Sequence, residues 1–382
     1  MKKILKIFLL ISIFSLVGCG IKSADNILEK LEKKLENANS YYLEGTMQIM
    51  NNEDTYTYNI KVSYQKEDYY RIELINTLNN HEQVILRNDD GVYVVTPSLN
   101  KSFKFQSDWP YNNSQVYLLN SILEDLTEDE DREFKTKKDG YYFSSEVNYP
   151  NNKSLVKQKV YLDKDINITK VEVVDKDDNI QIAMDFTKQE YNKKFDKNYF
   201  ELSELLKNTQ NETKSESNTN NNTTEESNTK DNLETNNNTN TNENTNTNDN
   251  TNNNENNNST ATEQSETTAK IEDIIYPMYL PNNTYLTNQE TIDTKDGQRL
   301  ILTFGGDSSF VLVEETAQTS EEGLIIPVSG EFDFLSDVIG IIGTNSLSWH
   351  SNGIDYYITS DTITTAELVE IARSISVLPV SK

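Results

Sequence analysis

Between about Asn208 and Ala269 the chain is almost wholly Asn, Thr, Glu and Ser, with runs such as Asn236-Asn237-Asn238-Thr239-Asn240-Thr241-Asn242. Such a segment has almost no apolar area to set against an ordering cost of about 1 to 2 kcal/mol per residue, so a solvated tether is expected. The Glu, Asp and Lys scattered through it oppose the stacking that pure Asn tracts favour. The period is irregular, which excludes a solenoid repeat. It reads equally well as a spacer through a cell-wall layer and as a neutral linker. The 382 residues are therefore expected to fold as two blocks flanking this tether, each long enough for its own core.

The first residues have a different grammar. Lys2, Lys3 and Lys6 precede the apolar run Ile7 to Phe14, and Leu16-Val17-Gly18-Cys19 follows. A basic start, an apolar stretch shorter than the ~20 residues of a spanning helix, and small residues before a cysteine describe a lipoprotein signal peptide over residues 1–18. Cys19 is the only cysteine, so disulfides are excluded and its thiol is expected to carry the lipid. Two acyl chains, at ~0.8 kcal/mol per buried methylene, suffice for stable attachment. The expected location is the extracytoplasmic face of the cell membrane, anchored without crossing it. With 35 Lys and Arg against 62 Asp and Glu, the formal charge is −27. Such a surface repels phosphate backbones, so nucleic acid is excluded as a partner and attachment falls to the lipid rather than to a basic patch.

In the first block, Ile27, Leu28, Leu31, Leu35 and Ala38 recur at helical spacing behind Ser23 or Asp25 as cap. Period-two alternation then predicts strands at 42–49, 56–64, 70–75, 83–87, 92–96 and 102–105, with the turn Asp89-Asp90-Gly91. Val116, Leu119, Ile122, Leu123 and Leu126 predict a second helix, followed by strands at 140–144, 155–162, 168–174 and 180–186. A meander of this kind with two helices is expected to curl into a half-barrel whose interior the helices plug.

Tyr70-Arg71-Ile72-Glu73, the segment Asn88 to Lys101 with its Asp89-Asp90-Gly91 turn and Pro97, and the run from Tyr161-Leu162-Asp163-Lys164 through Asp175 to Asn179 resemble the LolA/LolB/RseB lipoprotein-carrier superfamily. Asn179 stands where that pattern has glycine, a mild departure because Asn tolerates the left-handed conformation. An anchored chain cannot shuttle lipid, so fold and function separate here. Among anchored relatives it most resembles the clostridial GerS-like germination lipoproteins. That resemblance implies a protein partner, a cell-wall amidase, and a role in spore germination or cortex modification. The alternative it leaves open is an RseB-like sensor or lipid carrier holding an apolar ligand in the half-barrel.

Order returns at Ile271. Strands are predicted at 279–286, 299–304, 310–315, 346–350 and 354–359, then a helix behind Thr364 or Thr365 carrying Leu368, Val369, Ile371 and Ala372. The pattern resembles the small DUF4367 domain. The fold expected is thus α+β: a LolA-like curled antiparallel half-barrel with helices over 19–205, a disordered linker over 206–270, and a small DUF4367-like α+β domain over 271–382.

Catalytic constellations are weak. His81 and His350 are the only histidines and the tether divides them, so neither is expected to find a partner. No motif offers metal-ligand spacing, and no cofactor or enzymatic activity is expected. The run Glu124 to Asp131 reads as a solvated acidic loop rather than a glycosidase pair or a calcium loop. Gly305-Gly306-Asp307-Ser308-Ser309 lacks the lysine and helix of a phosphate loop and reads as a hairpin turn. The tyrosines crowding 41–142 fit either a docking face or an aromatic core. Lipidation at Cys19 gives a direct prediction. Cys19→Ala is expected to move the protein from the membrane to the soluble fraction, and palmitate labelling that persists in that variant would contradict the anchor.

Overall fold

The computed structural model describes residues 23–206 and 270–375, apart from 52, 53, 112 and 272. Cys19, the signal peptide and nearly all of the polar tract lie outside the described residues.

Helix α1 (Ala24–Glu36) begins where Ser23 accepts a hydrogen bond from the Asn26 amide at 3.2 Å, and it buries Ile27, Leu28, Leu31 and Leu35. The chain then runs through β1 (Ser40–Asn51), β2 (Asp54–Gln65), β3 (Tyr69–Asn76), β4 (Glu82–Asn88), β5 (Gly91–Thr96) and β6 (Lys101–Phe105). Helix α2 (Leu119–Glu128) follows, and then β7 (Glu133–Lys137), β8 (Gly140–Glu146), β9 (Lys157–Asp163), β10 (Ile168–Val174) and β11 (Ile180–Tyr191). After residue 270 come β12 (Thr284–Thr294), β13 (Gly297–Gly306), β14 (Phe310–Thr316), β15 (Leu324–Val328), β16 (Glu331–Phe334), β17 (Ile339–Ile342), β18 (Ser346–Ser351), β19 (Ile354–Thr359) and α3 (Thr365–Arg373).

The architecture is sheet-rich with few helices, and neither sheet closes into a barrel. One sheet has 12 strands in the order β15-β6-β5-β4-β3-β2-β1-β11-β10-β9-β8-β7, the other seven in the order β12-β13-β14-β19-β18-β17-β16. The first is an antiparallel meander closed on itself in sequence, because β1 pairs with β2 on one side and β11 on the other. One of its strands is foreign to the first block. β15, from beyond residue 270, pairs parallel to β6, with Leu324 opposite Lys101 and Val328 opposite Phe105. The two blocks therefore interlock, and all the described residues belong to one compact unit.

Helices α1 and α2 share a core cluster with one face of the first sheet, including Leu43, Met47, Ile60, Val62, Ile72 and Phe143. Tyrosine fills this core more than it decorates the surface. Tyr41 stacks on Tyr64 at 4.8 Å, Tyr64 leans on Tyr70 at 4.9 Å, and Tyr70 meets Trp109 edge-on at 5.6 Å. On the opposite face Val84, Leu86, Tyr93 and Val95 are covered by Phe200, Leu205 and Leu206. The smaller sheet has its own core, where α3 packs Leu368, Val369 and Ile371 with Leu302, Leu312, Trp349 and Ile358.

Turn chemistry corrects one local expectation and bears out another. In the β10–β11 turn the left-handed residue is Asp178, with φ of 66°, not Asn179. Asn179 instead donates through its backbone amide to the Asp175 carboxylate at 2.9 Å. The 305–309 segment is a β13–β14 turn, and Gly306 there has φ of 116° with space for a Cβ closed by the Asn283 carbonyl at 1.9 Å.

Gly45 sits where the β1–β11 register shifts, and an added Cβ would meet the Asp185 carbonyl at 2.4 Å. Gly45→Ala is therefore expected to cost about 2 kcal/mol. The check is a lower urea midpoint at unchanged slope; an unshifted midpoint would show that the bulge relaxes freely.

Candidate docking site between the two sheets

The junction of the two sheets is built from polar side chains of the first and main-chain atoms of the second. Gln83 on β4 accepts from the Ile339 amide at 2.6 Å and donates to the Ile339 carbonyl at 3.4 Å. Tyr58 donates to the Ser336 carbonyl at 2.9 Å, and Asn76 to the Asp337 carbonyl at 3.2 Å. Between these bonds two aromatic side chains enter the core of the first sheet. Phe332 lies 5.2 Å from Phe105 and 5.9 Å from Trp109; Phe334 lies 6.0 Å from Tyr117 and 6.4 Å from Tyr58. Ile339 and Ile341 belong to the same cluster.

This insertion leaves little free interior. The cavity beside Met47, Val116, Tyr117, Phe332 and Phe334 measures about 20 Å³, whereas pockets for small organic ligands run to several hundred. Larger clefts flank it. One of about 200 Å³ adjoins that cavity, sharing Ile49, Ile182 and Phe334 with it, and opens toward Asn51, Gln181 and Arg373. The other, about 220 Å³, lies between Gln83, Lys101 and Phe103 of the first sheet and Val313, Glu315, His350 and Tyr357 of the second.

Beside that second cleft His350 meets His81, contrary to the expectation that the tether keeps them apart. Their rings lie 5.3 Å apart. His350 Nδ1 is 3.0 Å from Asp355 Oδ1, and Lys101 Nζ is 2.9 Å from Asp355 Oδ2, so one carboxylate bridges a histidine and a cross-sheet lysine. Burial pushes Asp355 up, but the hydrogen bonds from His350 and Lys101 outweigh it and hold the carboxyl below its usual value. Burial, reinforced by the neighbouring His350, lowers His81 to about 4, and its Nε2 has no hydrogen-bond partner. The pairing was hidden because sequence separation says nothing about docking across a tether.

The acidic run is not wholly solvated either. Asp125 faces inward from α2, accepting from Ser114 at 3.0 Å and Gln158 at 3.1 Å, and burial raises its carboxyl to about 7. Glu314 on β14 is fully buried with neither side-chain oxygen paired. Burial raises it too, to about 7. Among the described residues no group of three or more His, Cys, Asp or Glu is placed to hold a metal ion, and no helix is long and apolar enough to cross a membrane.

A family model described as sporulation protein YdcC-like matches residues 1–200. Sporulation protein YdcC of Bacillus subtilis (strain 168) is 32% identical over 380 residues, covering 98% of this chain and 98% of that protein. The chain belongs to the sporulation protein YdcC-like family. Among solved structures it is similar to the Pseudomonas aeruginosa MucA/MucB complex, at 11% identity over 91% of this chain and 97% of that one, with a TM-score of 0.30. It is also similar to the CwlD amidase from Clostridioides difficile in complex with the GerS lipoprotein, at 18% identity over 45% of this chain and 98% of that one, with a TM-score of 0.28. Both structural likenesses are weak. The family relation, by contrast, extends across the whole chain, so the docked arrangement of the two blocks is a property to test in YdcC-like proteins generally.

His81 gives that test a pH signature. The unfolded chain takes up its proton below about 6.5 and the folded chain only below about 4. Stability from this group is therefore complete above pH 6.5 and is lost as pH falls toward 4. Asp125 and Glu314, both raised, act with the opposite sign, so the comparison is made against His81→Gln. Between pH 7 and 4 the wild type is expected to lose about 2 to 3 kcal/mol more than His81→Gln. Parallel denaturation curves for the two across that range would show that His81 is not buried neutral at the junction.

Proposed function

We propose that this chain is a lipid-anchored, non-enzymatic protein-binding module on the extracytoplasmic face of the cell membrane. Its role is in sporulation, at the step of spore germination or cortex modification, through partnership with a cell-wall amidase. The first sheet is read as the curled, LolA-like half-barrel of a carrier fold that holds no cargo. The observation that carries this over the lipid-carrier alternative is the filled interior, where Phe332 and Phe334 of the chain itself leave about 20 Å³. Three further features support it. Membership in a sporulation family supports the process. The signal-like start and Cys19 support the location. The outer strand β12 exposes Tyr285, Leu286 and Ile292 at one end of its sheet, as a surface that meets another protein does. The non-enzymatic reading is supported by the commitment of Asp125, Asp355 and His350 to internal bonds.

Deletion of the gene is expected to impair germination or cortex modification while vegetative growth stays intact, and an affinity-tagged chain from sporulating cells is expected to retain a cell-wall amidase. Normal spores from the deletion strain, or stoichiometric acyl lipid with no protein on the tagged chain, would overturn the proposal.

A further inference from the structure

The two sheets have four outer strands, and three of them are guarded against further pairing. β7 is five residues long and carries Lys135 and Lys137. β15 is equally short and holds Pro327. β16 has four residues, with Phe332 and Phe334 packed into the core of the first block. Short length, lysine, proline and coverage are the usual defences of a sheet edge. β12 has only a register shift between Leu286 and Asn288. It runs for 11 residues without Lys or Pro, and every residue from Tyr285 to Asp293 is exposed.

That edge is flanked by apolar side chains on both faces. The segment 271–281 lies on one face, held by Ile271, Ile275 and Leu280 against the core of the smaller sheet and by the Tyr276 hydroxyl, which donates to Gln289 Oε1 at 2.7 Å. Its outward side chains are Ile274, Tyr276, Met278 and Tyr279, with Met278 90% exposed. Leu286 and Gln289 stand opposite Phe304 and Leu302 of that core, so they share this face; Tyr285 and Ile292, opposite Gly305 and Arg299, lie on the other. More than half of the large apolar side chains exposed among the described residues fall within 274–292. A concentration of that kind marks a contact surface.

Charge selects among the occupants of this edge. Residues 271–382 hold 17 Asp and Glu against four Lys and Arg, and β12 itself contributes Glu290 and Asp293. Like charge opposes both a second copy of the chain and anionic headgroups, while a basic strand is attracted. We propose that the free edge of β12, with segment 271–281 on one face and Tyr285 and Ile292 on the other, is a strand-addition surface for another protein. The docking segment of that partner is extended and basic, with apolar residues at alternate positions. Main-chain bonds to β12 set its register, its Lys or Arg meet Glu290 and Asp293, and its apolar side chains rest on the flanking groups. The inference rests on the protein-binding reading above and assigns that reading a surface and a partner chemistry.

The test uses two short labelled peptides, one of alternating Lys and Val and one of alternating Glu and Val, titrated against the full chain by fluorescence anisotropy, with hydrogen exchange read by mass spectrometry at saturation. The Lys-Val peptide is expected to bind at least about tenfold more tightly than the Glu-Val peptide and to slow exchange within 284–294. Glu290→Lys/Asp293→Lys is expected to weaken its binding about tenfold, and Tyr285→Ser/Ile292→Ser severalfold. All four side chains are exposed, so both variants are expected to keep the wild-type denaturation midpoint. Equal affinity for the two peptides, unchanged affinity in both variants, or protection confined to residues outside 284–294 each overturns the surface. So does a free chain that sediments as a dimer and is split by Tyr285→Ser/Ile292→Ser, which would put a second copy on this edge. In sporulating cells the amidase retained by the wild type is expected to be lost from Glu290→Lys/Asp293→Lys. An amidase retained equally by both would overturn β12 as the docking site and leave the protein-binding reading standing; Lys-Val binding at β12 with no amidase retained would overturn the assigned partner and leave the surface standing.

Discussion

Everything else in this molecule depends on one main-chain interaction: β6 of the first block pairs with β15 of the second, and Gln83 then holds the Ile339 peptide unit from both sides. Without that pairing β6 would be a bare sheet edge, a liability that proteins cover or blunt. With it, the chain that leaves β15 is aimed so that Phe332 and Phe334 fall into the aromatic end of the first core. The same register brings Lys101 to Asp355 and His81 to His350. One strand addition thus seals the sheet edge, fills the interior and creates the charged junction.

The energetics of the junction are mixed in kind. Burying two phenylalanine side chains contributes on the order of 1.5 to 3 kcal/mol each. Main-chain bonds from Gln83, Asn76 and Tyr58 add about 1 kcal/mol apiece after exchange with water. The Lys101–Asp355 pair is only part-buried, with side-chain exposures of 14% and 33%, and fixes alignment more than it stabilises. A junction so composed is continuous with both cores, through Phe332 and Ile339 on one side and Leu335 and Val338 on the other.

Much of the fold was legible in the sequence because it is local. Helices α1 and α3 were announced by Ser23 and Thr364 ahead of apolar stripes, and both serve as caps. Strands β1 to β6 and β8 to β11 follow period-two runs. The strands missed, β7, β15, β16 and β17, are those whose signal is short, weak or distant. β7, Glu133-Phe134-Lys135-Thr136-Lys137, has one apolar residue. β15, Leu324-Ile325-Ile326-Pro327-Val328, holds a proline, which reads as a strand breaker and is tolerated there because this is an edge. Its partner lies more than two hundred residues away, so no local pattern could pair them. The junction was illegible for the same reason. His81 and His350, Asn76 and Asp337, and Gln83 and Ile339 are polar residues or main-chain atoms with no sequence signature of their meeting.

The proposed role requires the interior of the first block to stay closed around Phe332 and Phe334 while the outer surface meets another protein. Native mass spectrometry of the protein released intact from sporulating cells measures this most directly. The expected mass is that of the chain with the proposed lipid at Cys19, alone or joined by a second polypeptide, with no further lipid. A non-covalently bound acyl lipid at one per chain would contradict it.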